Sequence, residues 1–358
     1  MRTFSGGSRR RAAEMTVVGL TAAVLVGVVS VSGAVATSGH PSVGQLMVTP
    51  AVDRYAFSMP TAMAGYGGAL FVVNRGGNSV TELSASNGAW VRTISAAVGK
   101  FSTPTAIVGF GVDLFVANRA GSVSEIDART GSLVRLIAGP GYGFSSPTAL
   151  AVHGTDLFVL NAGGSVTEIV ATSGGWVRTI AGARYGFNHP SAIVVAGGQA
   201  WVTNSLGNSV TEFDATSGAW IRTLTSSAYQ LQGPSGIAFD GTKLWVADNA
   251  TARITVIVAA TGRLSRVFSA AAPGPAPVVA GDVRVYVASP AGGSPMVTAY
   301  SAVSTAYQWM MCNSNAPYNF NNPQAMLVVG TELWVANTSG NSLTEMNAIT
   351  GDYLQRVA

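Results

Sequence analysis

A single cysteine, Cys312, stands in a chain of 358 residues, so no intramolecular disulfide can form. Stability must then come from packing, and the thiol beside Met310 and Met311 reads as a small buried apolar group. Histidine is almost as scarce, with only His40, His153 and His189. No zinc-ligand spacing, nucleophile elbow, phosphate-cradling loop or calcium loop is written in the chain, so neither a metal nor another cofactor is expected. Charged residues are 10% of the composition, too few for a phosphate-binding footprint. The positive excess is also local: of the net +4, residues 1–36 hold +3 through Arg2, Arg9, Arg10 and Arg11 against Glu14. A nearly neutral remainder excludes nucleic acid as a partner.

Long apolar runs are missing except for one, from Thr16 to Val31. Preceded by Arg9-Arg10-Arg11 and followed by Ala34-Val35-Ala36, it reads as an export signal over residues 1–36 with cleavage after Ala36. The alternative is an uncleaved anchor, because a run of about 20 residues can span a bilayer. Membrane association is expected only in that case.

What the chain has in plenty is repetition. Pro60, Pro104, Pro147, Pro190, Pro234, Pro277 and Pro323 each open the same pattern at intervals of 43 to 46 residues. A small residue and a short apolar run follow, then a turn, an aromatic-containing β-rich segment and Asn. A period of about 40–45 residues built from short strands marks a propeller blade. The fold class is therefore all-β, a seven-bladed β-propeller over residues 60–358 with four antiparallel strands per blade. In blade one the strands are expected at Pro60–Ala64, Leu70–Val73, Val80–Leu83 and Trp90–Ile94. Residues 37–59 form an N-terminal segment with a possible ring-closing strand at 45–49, since Leu46-Met47-Val48-Thr49 stands before Pro60 as Trp90 stands before Pro104. It either latches onto blade seven or competes with the C-terminal strand for that edge.

Three recurring positions have structural readings. Phe71, Phe115, Phe158, Trp201, Trp245 and Trp334 lie 11 residues after their prolines, with Tyr286 nine after Pro277, and serve as wedges between blades. Glu82 and Arg92 are ten residues apart, as are Glu125 and Arg135, Glu168 and Arg178, and Glu212 and Arg222. A five-residue loop puts Glu82 opposite Arg92, Thr81 opposite Thr93 and Leu83 opposite Val91, cross-strand pairs that pin register. Asn74, Asn118, Asn161, Asn204 and Asn337 close turns after strand two, with Asp248 and Ser289 replacing them in blades five and six.

The search for chemistry turns on the axial channel. From one to five residues after each repeat proline there is no ionisable side chain, only a ring of Thr61, Thr105, Thr148, Ser191 and Ser235 completed by Val278 and Gln324. Such a channel is poorly suited to acid–base catalysis, and no catalytic residue is assigned. Tyr55, Tyr142, Tyr185, Tyr229 and Tyr318 stand five residues before their prolines and are candidates for an aromatic rim that binds a protein, peptide or glycan at one propeller face. His189, at the channel mouth, and Asp248 join them as candidate ligand-binding residues. The alternative is an exported lyase or hydrolase at the channel mouth using His189, Asp240 and Asp248. The irregular tail of blade six, residues 313–319, is a further place where function can sit.

Pro104-Thr105-Ala106-Ile107, Leu114-Phe115-Val116-Ala117-Asn118 and Ser209-Val210-Thr211-Glu212-Phe213-Asp214 resemble NHL and YVTN-type propeller repeats, a superfamily that includes the virginiamycin B lyases. The resemblance covers residues 60–358. For the lyases it implies a catalytic histidine and carboxylates holding magnesium, and no histidine–glutamate cluster here matches that motif. The expected protein is thus an exported, monomeric, non-catalytic binding or scaffolding disc at the cell envelope or outside the cell.

Overall fold

The computed structural model describes residues 20–22, 54–270, 277–290, 294–313 and 317–358. The leader apart from residues 20–22, the 45–49 strand and residues 314–316 of the blade-six tail lie outside the described residues. Seven blades are arranged in a ring, each with four antiparallel strands drawn from one continuous stretch of chain, and the sheet of blade four has Leu20–Ala22 added at its inner edge. Blade one consists of Pro60–Tyr66, Ala69–Asn74, Ser79–Ser84 and Trp90–Ile94. Blade seven, which meets it, consists of Pro323–Val329, Glu332–Asn337, Ser342–Asn347 and Tyr353–Val357. Blade seven therefore takes all four strands from its own repeat, the last ending at Val357.

The prolines begin the inner strands because a first position needs no N–H for the ladder. In six blades the proline pairs with the residue ending strand two, as Pro60 does with Asn74, and a register shift follows at once. Strands two and three are buried on both faces because each blade is sandwiched between two others. The outermost strand alternates, as Leu133–Ala138 shows, because only one face meets protein. Phe71, Phe115, Phe158, Trp201, Trp245 and Trp334 are fully buried and Tyr286 nearly so. Phe71 packs with Val73 and Ile94 of blade one against Ile107, Leu114 and Val116 of blade two. Complete burial of such a ring contributes about 1.5–3 kcal/mol relative to exposure.

The pairing of strands three and four follows the expected register with one correction. Glu82 faces Arg92 and Thr81 faces Thr93, but Leu83 faces Trp90 and not Val91. A bulge inserts one extra residue on the outer strand at this point, and it recurs in every blade. On the channel side, Leu20–Ala22 pairs antiparallel with Ala192–Val194 of the inner strand of blade four. That contact uses backbone groups which an inner strand leaves open toward the axis.

Candidate functional site

The candidate residues collect on the face where each outermost strand connects to the next blade's inner strand. These connectors are short, held in blades two, three and five by the helical turns Ala96–Gly99, Pro140–Tyr142 and Ser226–Tyr229. The six that the structure describes end in a residue of positive φ just before the proline: Met59, Thr103, Ser146, His189 and Asn322 at 51–55°, with Gly233 at 63°. This kink aims the carbonyl of the residue back into its own blade, where Met59, Thr103, Ser146 and His189 accept from Arg75, Arg119, Ala162 and Ser205 N–H, Gly233 from Asn249 N–H and Asn322 from Thr338 N–H.

The five tyrosines are committed to the same architecture. Tyr142 donates its hydroxyl to the Gly174 carbonyl at 2.8 Å, Tyr185 to Gly218 at 2.6 Å and Tyr229 to Gly262 at 2.8 Å. Tyr318 donates to Gly351 at 2.8 Å and Tyr55 to Gly88 at 3.2 Å. Tyr55, Tyr142, Tyr185 and Tyr318 also stack on the phenylalanine two residues later with centroids 5.3–5.5 Å apart. Their rings are half-buried or, for Tyr318, buried. Each tyrosine spans its blade and ties the connector to the turn between strands three and four.

Beneath the connectors lies a ring of buried amides. Asn161 accepts from Ser145 N–H at 3.1 Å and donates to the Ser165 and Thr167 hydroxyls at 3.1 and 3.0 Å. Thr167 passes its own proton to the Tyr142 carbonyl at 2.9 Å. The same chain of bonds runs from Asn74 and Asn204. Asp248 breaks it. Its carboxylate accepts from Gln232 N–H at 3.3 Å, but Thr255, 3.1 Å from the Tyr229 carbonyl and 3.5 Å from Asp248, has one proton for two acceptors. Burial pushes the Asp248 carboxyl up to about 7, only partly opposed by the Gln232 and Thr255 bonds and the Arg253 charge.

His189 is exposed, and its Nδ1 lies 3.1 Å from the Ser205 hydroxyl, which also donates to the His189 carbonyl at 2.9 Å. Asp240 sits at the opposite end of blade five's second strand from Asp248. There it accepts from Trp245 Nε1 at 2.7 Å and from Thr242 and Lys243 N–H. The fold does not bring His189, Asp240 and Asp248 together as a cluster, and among the described residues no group of three His, Cys, Asp or Glu side chains is placed to hold a metal ion. Two of the channel-mouth hydroxyls link neighbouring blades, Thr105 donating to the Pro147 carbonyl at 2.9 Å and Ser191 to Pro234 at 2.8 Å.

The polar links across the blade seams were not anticipated from the sequence. Beyond pairing with the glutamates of their own blade, Arg92 donates to the Ala128 and Arg129 carbonyls at 2.9 Å and Arg135 to Thr172 at 2.9 Å. Arg178 and Arg222 reach the corresponding turns of blades four and five. The signal for these links was the glutamate–arginine spacing itself; the carbonyl acceptors have no sequence signature.

A family model described as outer membrane protein assembly factor BamB matches residues 36–266 and, in a second placement, residues 206–357. Among solved structures, virginiamycin B lyase from Staphylococcus aureus aligns with a TM-score of 0.65 at 15% identity, covering 78% of this chain and 92% of its own. The hydrazine synthase of Kuenenia stuttgartiensis aligns with a TM-score of 0.65 at 16% identity over 86% of this chain and 100% of its own. The computationally designed Ika8 protein gives 0.61 at 15% identity over 84% and 86%. No curated protein matches the chain. These structural likenesses are to the propeller fold alone.

Proposed function

Because the chain belongs to the family described as outer membrane protein assembly factor BamB, we propose that it is an exported, non-catalytic disc that binds or scaffolds polypeptides at the cell envelope. The repeats are, in this reading, NHL/YVTN-type variants of the propeller without the catalytic motif of the lyases. One observation carries the proposal. The polar groups that recur on the connector face are consumed in holding loops, which makes a rigid platform, whereas the inner strands facing the axis from Pro60–Tyr66 to Pro323–Val329 are apolar or hydroxylic except for Gln324 at one end and His153 at the other. Rigid scaffolds bearing short loops are suited to binding with little ordering cost. Tyr55, Tyr142, Tyr185, Tyr229 and Tyr318 shape the binding face, His189 is exposed on it, and Asp248 supports it from below. A glycan remains a second class of ligand for the same face.

Photocrosslinking tests the reading. A crosslinker at Asn188 or His189, both exposed, is expected to capture envelope polypeptides, while one at Val134 on the outer edge captures none. Capture at both places alike, or at neither, overturns the docking face. A divalent metal that is ordered by carboxylates on the axis after a crystal soak overturns the non-catalytic reading in favour of the lyase or hydrolase alternative.

A further inference from the structure

The seam at which the ring closes differs from the four seams that follow blades one to four. At each of those, an arginine on the outer strand fills the space between blades: its own blade's glutamate holds it on one side and carbonyls of the next blade's strand-three turn hold it on the other. In blade seven the glutamate is retained as Glu345, but the position opposite is Gln355. The guanidinium is missing: the Gln355 amide lies against Gly88 as Arg92 lies against Gly131, and beside it a cavity of about 370 Å³ between blades seven and one is lined by Ala85 and Ser86 of the facing turn, within the range of about 300–1,000 Å³ usual for ligand clefts.

Its walls say what it takes. Tyr66, Ala69 and Val329 give an apolar surface, and Ala85 and Ser86 occupy the positions whose counterparts in blade two, Ala128 and Arg129, offer carbonyls to Arg92. Glu332 is the only ionisable carboxylate in the lining. The residues at its position in blades two and three, Asp113 and Asp156, lie in the fields of Arg135 and Arg178. Among the described residues no cation acts on Glu332 in this way. Burial alone pushes its carboxyl up, and its charge also raises Glu345. A half-buried carboxylate without a counter-ion, facing an apolar cleft, is complementary to a cation on an apolar stem.

We propose that the cleft between blades seven and one is a binding site for the arginine side chain of a partner polypeptide, which supplies in trans the guanidinium that Arg92, Arg135, Arg178 and Arg222 supply within the chain. The aliphatic stem lies along Tyr66 and Val329, and the guanidinium meets Glu332 and the turn of Ala85 and Ser86. The site opens on the face opposite the connectors, so the proposal does not depend on the docking face proposed above.

The test uses the full chain and the peptide acetyl-Gly-Arg-Gly-amide, with its citrulline analogue as the neutral isostere and free arginine as the small-molecule control, titrated by calorimetry and amide NMR. The arginine peptide is expected to bind in about the millimolar range, at least about tenfold more tightly than the citrulline peptide, and to shift the Ala85 and Ser86 amides. Glu332→Gln is expected to erase that discrimination. Gln355→Arg is expected to fill the cleft with the chain's own guanidinium, abolishing peptide binding while raising the melting temperature. Equal binding of arginine and citrulline peptides overturns the proposal, as does binding that survives both substitutions. Free arginine binding as tightly as the peptide overturns the polypeptide as occupant.

Discussion

Thr103 carries a φ of 51° although a β-branched side chain is poorly suited to the left-handed region. It is kept there from both sides: its N–H donates to Asn78 Oδ1 at 2.6 Å and its carbonyl accepts from Arg119 N–H at 3.0 Å. Blade five has glycine at the same place, Gly233, with the corresponding bond from its N–H to Asn208 at 2.8 Å. Thr103→Gly is therefore expected to stabilise the chain by about 0.5–1 kcal/mol, a relief of strain partly offset by a freer unfolded chain, measurable by urea unfolding. Asp248 makes the second prediction. Its folded-state pKa of about 7 lies above the ordinary 3.8, so its stabilising, neutral form is fully present below about pH 4 and is lost as pH rises through 7. Asp248→Asn cannot ionise and regains an amide donor for Thr255. The stability of the variant relative to the wild type should thus grow between pH 4 and 7 and level off above, by at most about 4 kcal/mol. A difference that is flat across this window would show that Asp248 stays ionised. The Asn-to-Asp change was visible in the sequence as a broken repeat; the single proton shared between two acceptors was not, since it depends on the position of the Tyr229 carbonyl.

Strand three and the outer strand make the element-scale case. Glu168 is nearly inaccessible, and burial raises its carboxyl against the bonds and charge of Arg178, which lies 2.7 Å away. A buried pair of this kind is weak evidence for net stability, yet removing one partner strands the other. Arg178→Met alone is expected to cost about 3–5 kcal/mol by the cost of breaking a buried pair, at the lower end because Arg178 is partly exposed. Arg178→Met with Glu168→Leu should cost less than the single change, and thermal unfolding of both variants decides it. A double variant as damaged as the single one would mean that the arginine acts through its contacts to Thr216 and Ser217 of blade four and not through the glutamate. The pairing within the blade was legible because ten-residue spacing across a short turn leaves little choice of register. The bulge that moves Leu83 from Val91 to Trp90 was not, because the inserted residue leaves the spacing of the charged pair unchanged. Nor were the contacts between blades, since carbonyls such as those of Ala128 and Thr172 are present at every residue and only the fold selects them.

For the whole molecule, seven repeats told the number of blades, and their fixed aromatic told how the blades pack, but closure depends on contacts between residues nearly 300 positions apart. Asn341 Oδ1 accepts from Met59 N–H at 2.9 Å, and Thr338 donates its hydroxyl to the Pro60 carbonyl at 2.6 Å. Asn78 and Asn208 repeat the first of these bonds at the next blades, so the closing seam reuses the inter-blade link without any interleaved strand among the described residues. It has at the same time lost the arginine that bridges the five seams following blades one to five. A seam that has lost a side-chain bridge should open more readily than one that keeps it, since local stability follows local contacts. Native-state hydrogen exchange is accordingly expected to show the amides of Pro60–Tyr66 and Tyr353–Val357, where an N–H is present, exchanging before those of blade three. Asn341→Ala with Thr338→Val should speed exchange at this seam and leave Pro147–His153 unchanged, each lost bond being worth about 0.5–1.5 kcal/mol. If instead all seven blades exchange together in that variant, the disc opens only by global unfolding and the closing seam is as strong as the rest.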